Sequence, residues 1–219
     1  TGSVGMNVVA HSAPDGYNLT VATNDGILIV PRLKKDLPYD VEKDLAPVSL
    51  LVTQPCMLAI HPWVPATSVR EFVALAKQQG SSMYIGTSAV GTGGYLSAEL
   101  FKSLAGVEAA LIPYKGTAPL MNDLLGGHVK VAFGVLPPAM GNLAAGTLRG
   151  MAVLDRQRFS LLPDVPTAHE SGLPGFESVL HYGLLGPAGL PRPIVDKLNA
   201  ALKAAVSAGR IQVHIEEDR

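Results

Sequence analysis

Between Ser68 and Leu154 the hydrophobic pattern switches back and forth between a helical and an extended period, and this alternation restricts the fold more than any other feature of the chain. "SVREFVALAKQQG" (68–80) places Phe72, Val73, Leu75 and Ala76 on one helical face. Ser68 is its candidate N-cap, Glu71 stands three residues on, and Gly80 is its stop. "SMYIGTS" reads as a strand, followed by a helix from Gly93 or Gly94 to Leu104. Then come a strand and turn in "ALIPYKGT", a glycine-ended helix in "APLMNDLLGG" and a strand in "HVKVAFGVLP". A short helix in "PAMGNLAAGTL" and a strand in "RGMAVL" complete the series. Strands alternating with helices predict an α/β fold with mostly parallel sheets covered on both faces.

The flanks are less regular. "YNLTVATND" reads as a short strand running into a polar turn. "LPYDVEKDLAPVSLLVTQPCMLAIHP" predicts a proline-marked loop and one or two extended runs split at Gln54-Pro55. Residues 155–177 form a long loop with one helical turn near Ala168, and "SVLHYGLLGPAGLP" is a strand and turn. "PRPIVDKLNAALKAAVSAG" is an amphipathic helix with Ile194, Val195, Leu198, Leu202 and Val206 on its apolar side.

Composition removes several classes of function. A formal net charge of −1 leaves no basic footprint for nucleic acid. The single cysteine, Cys56, allows neither an internal disulfide nor a cysteine metal site. Six histidines occur without H-x-x-x-H spacing, so no metal site is expected. The most apolar region is interrupted by Gln54, Pro55, His61 and Pro62, too soon to span a bilayer. The opening "TGSVGMNVVAHSAPDGY" carries neither a signal peptide nor an initiator Met, so the chain reads as processed or truncated.

The richest candidate site is "TSAVGTGGYLSAELF" (87–101), where a strand end feeds a helix start. In open α/β sheets ligands sit beyond the carboxyl ends of strands. A helix start offers unpaired N–H groups and partial positive charge. Thr87, Ser88 and Thr92 add hydroxyl donors, and Gly91, Gly93 and Gly94 allow close backbone approach. That chemistry suits an anion, a carboxylate above all; the alternative is a turn that simply starts a helix. A Walker loop lacks its lysine, and the G-x-G-x-x-G and G-x-S-x-G spacings are both missed. Thr23 and Asn24 form a second polar strand end, and Tyr114 and Lys115 in "PYKG" a third; each also reads as an ordinary turn or surface group.

The segments "APDGYNLTVATND", "LPYDVEKDLAPVSLL", "TSAVGTGGYLSAELFKSLAGV", "IPYKGTAPLMNDLLGGHVKV", "LPDVPTAHESGLPGFE" and "GLLGPAGLPRPIVDKLNAAL", in this order, resemble the substrate-binding receptors of tripartite tricarboxylate transporters, the Bug family. The resemblance runs from about Thr1 to Val206. It implies a type II periplasmic-binding-protein fold with two lobes that close on a small carboxylate. One lobe is expected over 64–177 and the other over 1–63 with 178–219. The resemblance also implies a periplasmic location, delivery of ligand to the transporter's membrane subunits, no cofactor and no chemistry. It places Thr23, Asn24, Thr87, Ser88, Gly91, Thr92, Gly93, Gly94, Tyr114 and Gly134 along the ligand cleft. Family members begin with a further strand and a glycine-rich loop, so the first lobe is expected to be incomplete and the ligand weakly held. They often carry Asp at Gly134 and His at Tyr95. A sheet lacking a strand exposes an edge, which predicts pairing with a second copy. Two other classes compete. A LysR-type regulator's effector domain shares the fold and needs a helix-turn-helix upstream; a serine hydrolase would use Ser88.

Overall fold

The computed structural model describes residues 2–208. In chain order the elements are α1 (Ser3–Ala10), β1 (Thr20–Thr23), α2 (Val30–Leu33), α3 (Val41–Asp44), β2 (Leu45–Ile60), α4 (Val69–Gln79), β3 (Tyr84–Thr87), α5 (Gly93–Ala105), β4 (Ala110–Pro113), α6 (Thr117–Leu125), β5 (Val131–Val135), α7 (Met140–Ala144), β6 (Arg149–Val153), β7 (Val179–Pro187) and α8 (Arg192–Ser207). The chain divides into two compact units. A terminal unit holds the described residues up to Thr53 and from His181 onward; a central unit is Gln54–Leu180. The chain passes from one to the other within β2 and again within β7.

The central unit contains the alternation seen in the sequence. Its strands lie in the order β4-β3-β5-β2-β6. β3 is parallel to β4 and β5, while β2 runs antiparallel to both β5 and β6. Four strands therefore share one direction and β2 opposes them. Side chains alternate across the sheet. Phe133 of β5 meets Phe101 of α5 and Phe176 at centroid distances of 5.4 and 6.0 Å, and Phe72 of α4 stacks on Phe101 at 5.5 Å. All four rings are buried. Each contributes about 1.5–3 kcal/mol by leaving water. On the other face, Ala132 of β5 joins Met57, Leu120, Leu124, Val129 and Val153.

α4 starts and stops as its sequence dictates. Ser68 Oγ accepts the Glu71 N–H at 3.2 Å, Glu71 Oε2 accepts the Thr67 N–H at 2.7 Å, and Gly80 takes φ 54°. One expectation is corrected: β2 is a single unbroken strand through Gln54-Pro55. Proline lacks an N–H and cannot donate to the ladder, but the Pro55 carbonyl still accepts from Leu136 N at 3.1 Å and holds the strand there.

In the terminal unit β1 pairs antiparallel with β7, from Thr20↔Leu185 to Thr23↔Tyr182, and stands at the end of the strand order. Met6 and Val9 of α1 pack with Ala22, Tyr39, Leu45 and Leu185. α8 presents Ile194, Val195, Leu198, Leu202 and Val206 half-buried, and Asn199 Nδ2 donates to Val48 O at 2.9 Å. Two features were not anticipated. α1 forms at the start, and a π-helical stretch, Asp25–Ile29, follows β1 directly and runs into α2. The polar "TND" thus opens a helix rather than a free turn.

Candidate carboxylate-binding loop

The segment from Thr87 to Gly94 lies at the carboxyl end of β3 and enters α5, whose two first residues are Gly93 and Gly94. At Gly91 the backbone takes φ 82°, a value that L side chains resist, so the turn requires glycine. Gly94 serves a different purpose. A Cβ there would lie 2.7 Å from Phe133 O, 3.0 Å from Ser88 Oγ and 3.4 Å from Gly134 Cα. The first turn of α5 therefore rests against the backbone of β5, with Gly134 beside it. Gly134 is half-buried, and a Cβ built on it meets nothing within 4 Å.

The hydroxyls behave differently from the donors expected of them. Thr92 Oγ1 donates to Ala89 O at 2.6 Å and lies 2.7 Å from Ser88 Oγ. Both residues are thus engaged within the loop, and Ser88 bonds to Thr92 rather than to a histidine, an arrangement unlike a hydrolase nucleophile. Thr87 is wholly buried, and its Oγ1 has no hydrogen-bond partner among the described residues. Gly86 points toward Leu120 and Val129 of the α6 face, so Thr87 lies on the opposite, α5 side. Behind the turn, Ser97 Oγ donates to Gly93 O at 2.6 Å and lies 2.7 Å from Ser178 Oγ.

Tyr114 follows β4, parallel to β3, and its N–H donates to Thr87 O at 2.9 Å. Its hydroxyl donates to Asp123 Oδ2 of α6 at 2.8 Å. Burial, then the Asp123 hydrogen bond and charge, push the Tyr114 phenol up to about 12. The central unit thus brings together Thr87, Ser88, Gly91, Thr92, Gly93, Gly94 and Gly134, with Tyr114 tied to the same strand end. Thr23 and Asn24 belong to the terminal unit. Thr23 ends β1, and Asn24 Oδ1 accepts the His181 N–H at 3.2 Å. His181 was not among the residues singled out from sequence; its contact comes from strand pairing, which carries no local signal.

A separate groove, lined by Trp63, Leu75, Tyr84, His128 and Lys130, opens at the other end of β3, away from the strand ends where α/β sheets bind ligands. Among the described residues, no group of three or more His, Cys, Asp or Glu could hold a metal ion, and no helix is long and apolar enough to cross a membrane.

An α/β chain with a glycine-lined helix start at a strand's carboxyl end fits the solute-binding class. Residues 1–218 match the tripartite tricarboxylate transporter family receptor, and the chain belongs to that family. It is 32% identical over 208 residues to Protein BugT of Bordetella pertussis, covering 94% of this chain and 64% of BugT, so it spans a little under two thirds of that relative. Among solved structures, the R. palustris protein Rpa4515 with adipate is 35% identical with a TM-score of 0.87, over 94% of this chain and 69% of that one. MatC from Rhodopseudomonas palustris with bound malate is 33% identical with a TM-score of 0.83, over 94% and 70%. The periplasmic binding protein BugD gives 32% and 0.84, over 94% and 69%. The fold is that of these receptors, the type II periplasmic-binding-protein fold.

Proposed function

We propose that this protein is a periplasmic receptor that captures a small carboxylate and passes it, chemically unchanged, to the membrane subunits of a tripartite tricarboxylate transporter. Family membership over residues 1–218 carries the reading, and the start of α5 supplies its chemistry. The first N–H groups of a helix have no acceptor within the helix and sit at its positive end, so they attract a carboxylate. Thr87, Ser88, Gly91, Thr92, Gly93, Gly94 and Gly134 frame that start. Tyr114 braces the strand behind it. The ligands named for similar proteins, adipate and malate, set the chemical class to be tried first.

A ligand that binds only the folded state raises the melting temperature. A thermal-shift panel of mono-, di- and tricarboxylates, run on the full-length protein, tests the reading. The expected result is a rise with at least one dicarboxylate. No rise with any member at millimolar concentration contradicts it.

A further inference from the structure

We propose that the loop before α5 selects carboxylates that carry a hydroxyl on the carbon next to the carboxylate, with Ser88 Oγ accepting the hydrogen bond from that hydroxyl. The inference rests on the receptor reading above and adds a substrate class to it.

The argument begins with counting protons. A hydroxyl has one to donate and two lone pairs to accept with. Thr92 gives its proton to Ala89 O at 2.6 Å. The 2.7 Å contact between Ser88 Oγ and Thr92 Oγ1 must then use the proton of Ser88. Ser88 has nothing left to donate, and among the described residues no group donates to its oxygen. Donation into a chain of hydrogen bonds also polarises an oxygen and strengthens it as an acceptor. Ser88 Oγ is therefore a fixed acceptor looking for a donor.

Its position decides what that donor belongs to. A Cβ on Gly94 would be 3.0 Å from Ser88 Oγ, so the oxygen stands directly beside the first turn of α5. A carboxylate held by that turn brings its adjacent carbon, and any substituent on it, to the Ser88 side. A plain acid places a C–H there and leaves the acceptor unmatched. A hydroxy acid satisfies it. One residue earlier, Thr87 is fully buried with its Oγ1 unpartnered on the α5 side, a second unfilled polar group at the same strand end. An ammonium group is also a donor, but it suits this place less well. The helix start carries positive character, and "TSAVGTGG" contains no acidic side chain to offset a cation.

Calorimetric titration of the full-length protein with acids paired by length, malate with succinate and 2-hydroxyglutarate with glutarate, tests the proposal, with aspartate as the ammonium counterpart. One added hydrogen bond predicts that the hydroxy acid of the better-bound pair wins by about three- to tenfold, and that malate outbinds aspartate. In Ser88→Ala the ratio within the pair falls to about one. Thr92→Val keeps the Ser88 oxygen but frees its proton and ends the polarisation, so the ratio narrows there without reaching one, which provides a second reading if Ser88→Ala folds poorly. Equal binding within each pair, a ratio that survives both substitutions, or a preference for aspartate overturns the proposal while the receptor reading stands. Failure of every acid to bind overturns both.

Discussion

Gly94→Ala tests whether the placement of α5 on β5 depends on a missing side chain. The added carbon would sit 2.7 Å from Phe133 O, well inside the 3.3–3.6 Å of an ordinary C–H···O contact. That oxygen is backbone in β5, which is paired on one side with β2 and on the other with β3. It has little freedom to withdraw, so α5 must lift. Overpacking of this kind costs about 2–3 kcal/mol, the upper part of its usual range. Alanine returns about 1 kcal/mol through helix propensity. The net loss is about 1–2 kcal/mol, and at roughly 2–4 °C per kcal/mol for a chain of this size the melting temperature falls by about 2–8 °C. Gly141→Ala is the control. Gly141 lies in α7 with nothing within 4 Å of its added carbon, and the substitution is expected to stabilise by about 0.5–1 kcal/mol. Thermal and urea unfolding followed by circular dichroism read both variants. If Gly94→Ala is as stable as Gly141→Ala, the close-approach argument is wrong.

Other outcomes follow from individual side chains. Tyr114, pushed up to about 12, remains a phenol when exposed tyrosines ionise. Its folded value is above its unfolded value near 10, so its contribution is present below pH 10 and is lost between pH 10 and 12. Burial also raises the Tyr39 and Tyr95 phenols, so absorbance titration is expected to show a late phase that loses one phenol in Tyr114→Phe; a late phase of unchanged amplitude would assign it to the other tyrosines. Ser68→Ala removes the α4 cap and is expected to cost about 1 kcal/mol in urea unfolding, with no loss counting against the cap. Hydrogen bonds from the Thr67 N–H and then the Thr67 hydroxyl hold the Glu71 carboxyl below its usual value. Its folded value is depressed, so its support is present above the ordinary glutamate range and is lost as pH falls below it. Glu71→Gln should flatten that acid limb of the stability profile, and an unchanged limb would exclude Glu71 as its source.

How much the sequence reveals depends on whether the signal is local. α4 is legible to the residue because Ser68, Glu71 and Gly80 write its boundaries, and the glycines at 91, 93 and 94 mark the turn and the α5 start. The continuity of β2 through Pro55 is not legible, because it depends on which carbonyl Leu136 reaches, a contact across 81 residues. α1 escapes notice because only Met6 and Val9 of its eight residues are buried, too little for a periodic pattern. At the loop itself, sequence supplies the residue types but not the direction of the hydroxyl protons. Ser88 and Thr92 read as donors until the 2.6 Å contact to Ala89 O fixes which proton goes where.

The central claim is that a carboxylate binds at the start of α5. Backbone amide shifts in ¹⁵N-labelled full-length protein, followed during titration with malate, address it directly. The account predicts that the largest changes fall on the amides of residues 88–95, saturating with one site. Saturable shifts that cluster elsewhere, with residues 88–95 unmoved, would contradict it.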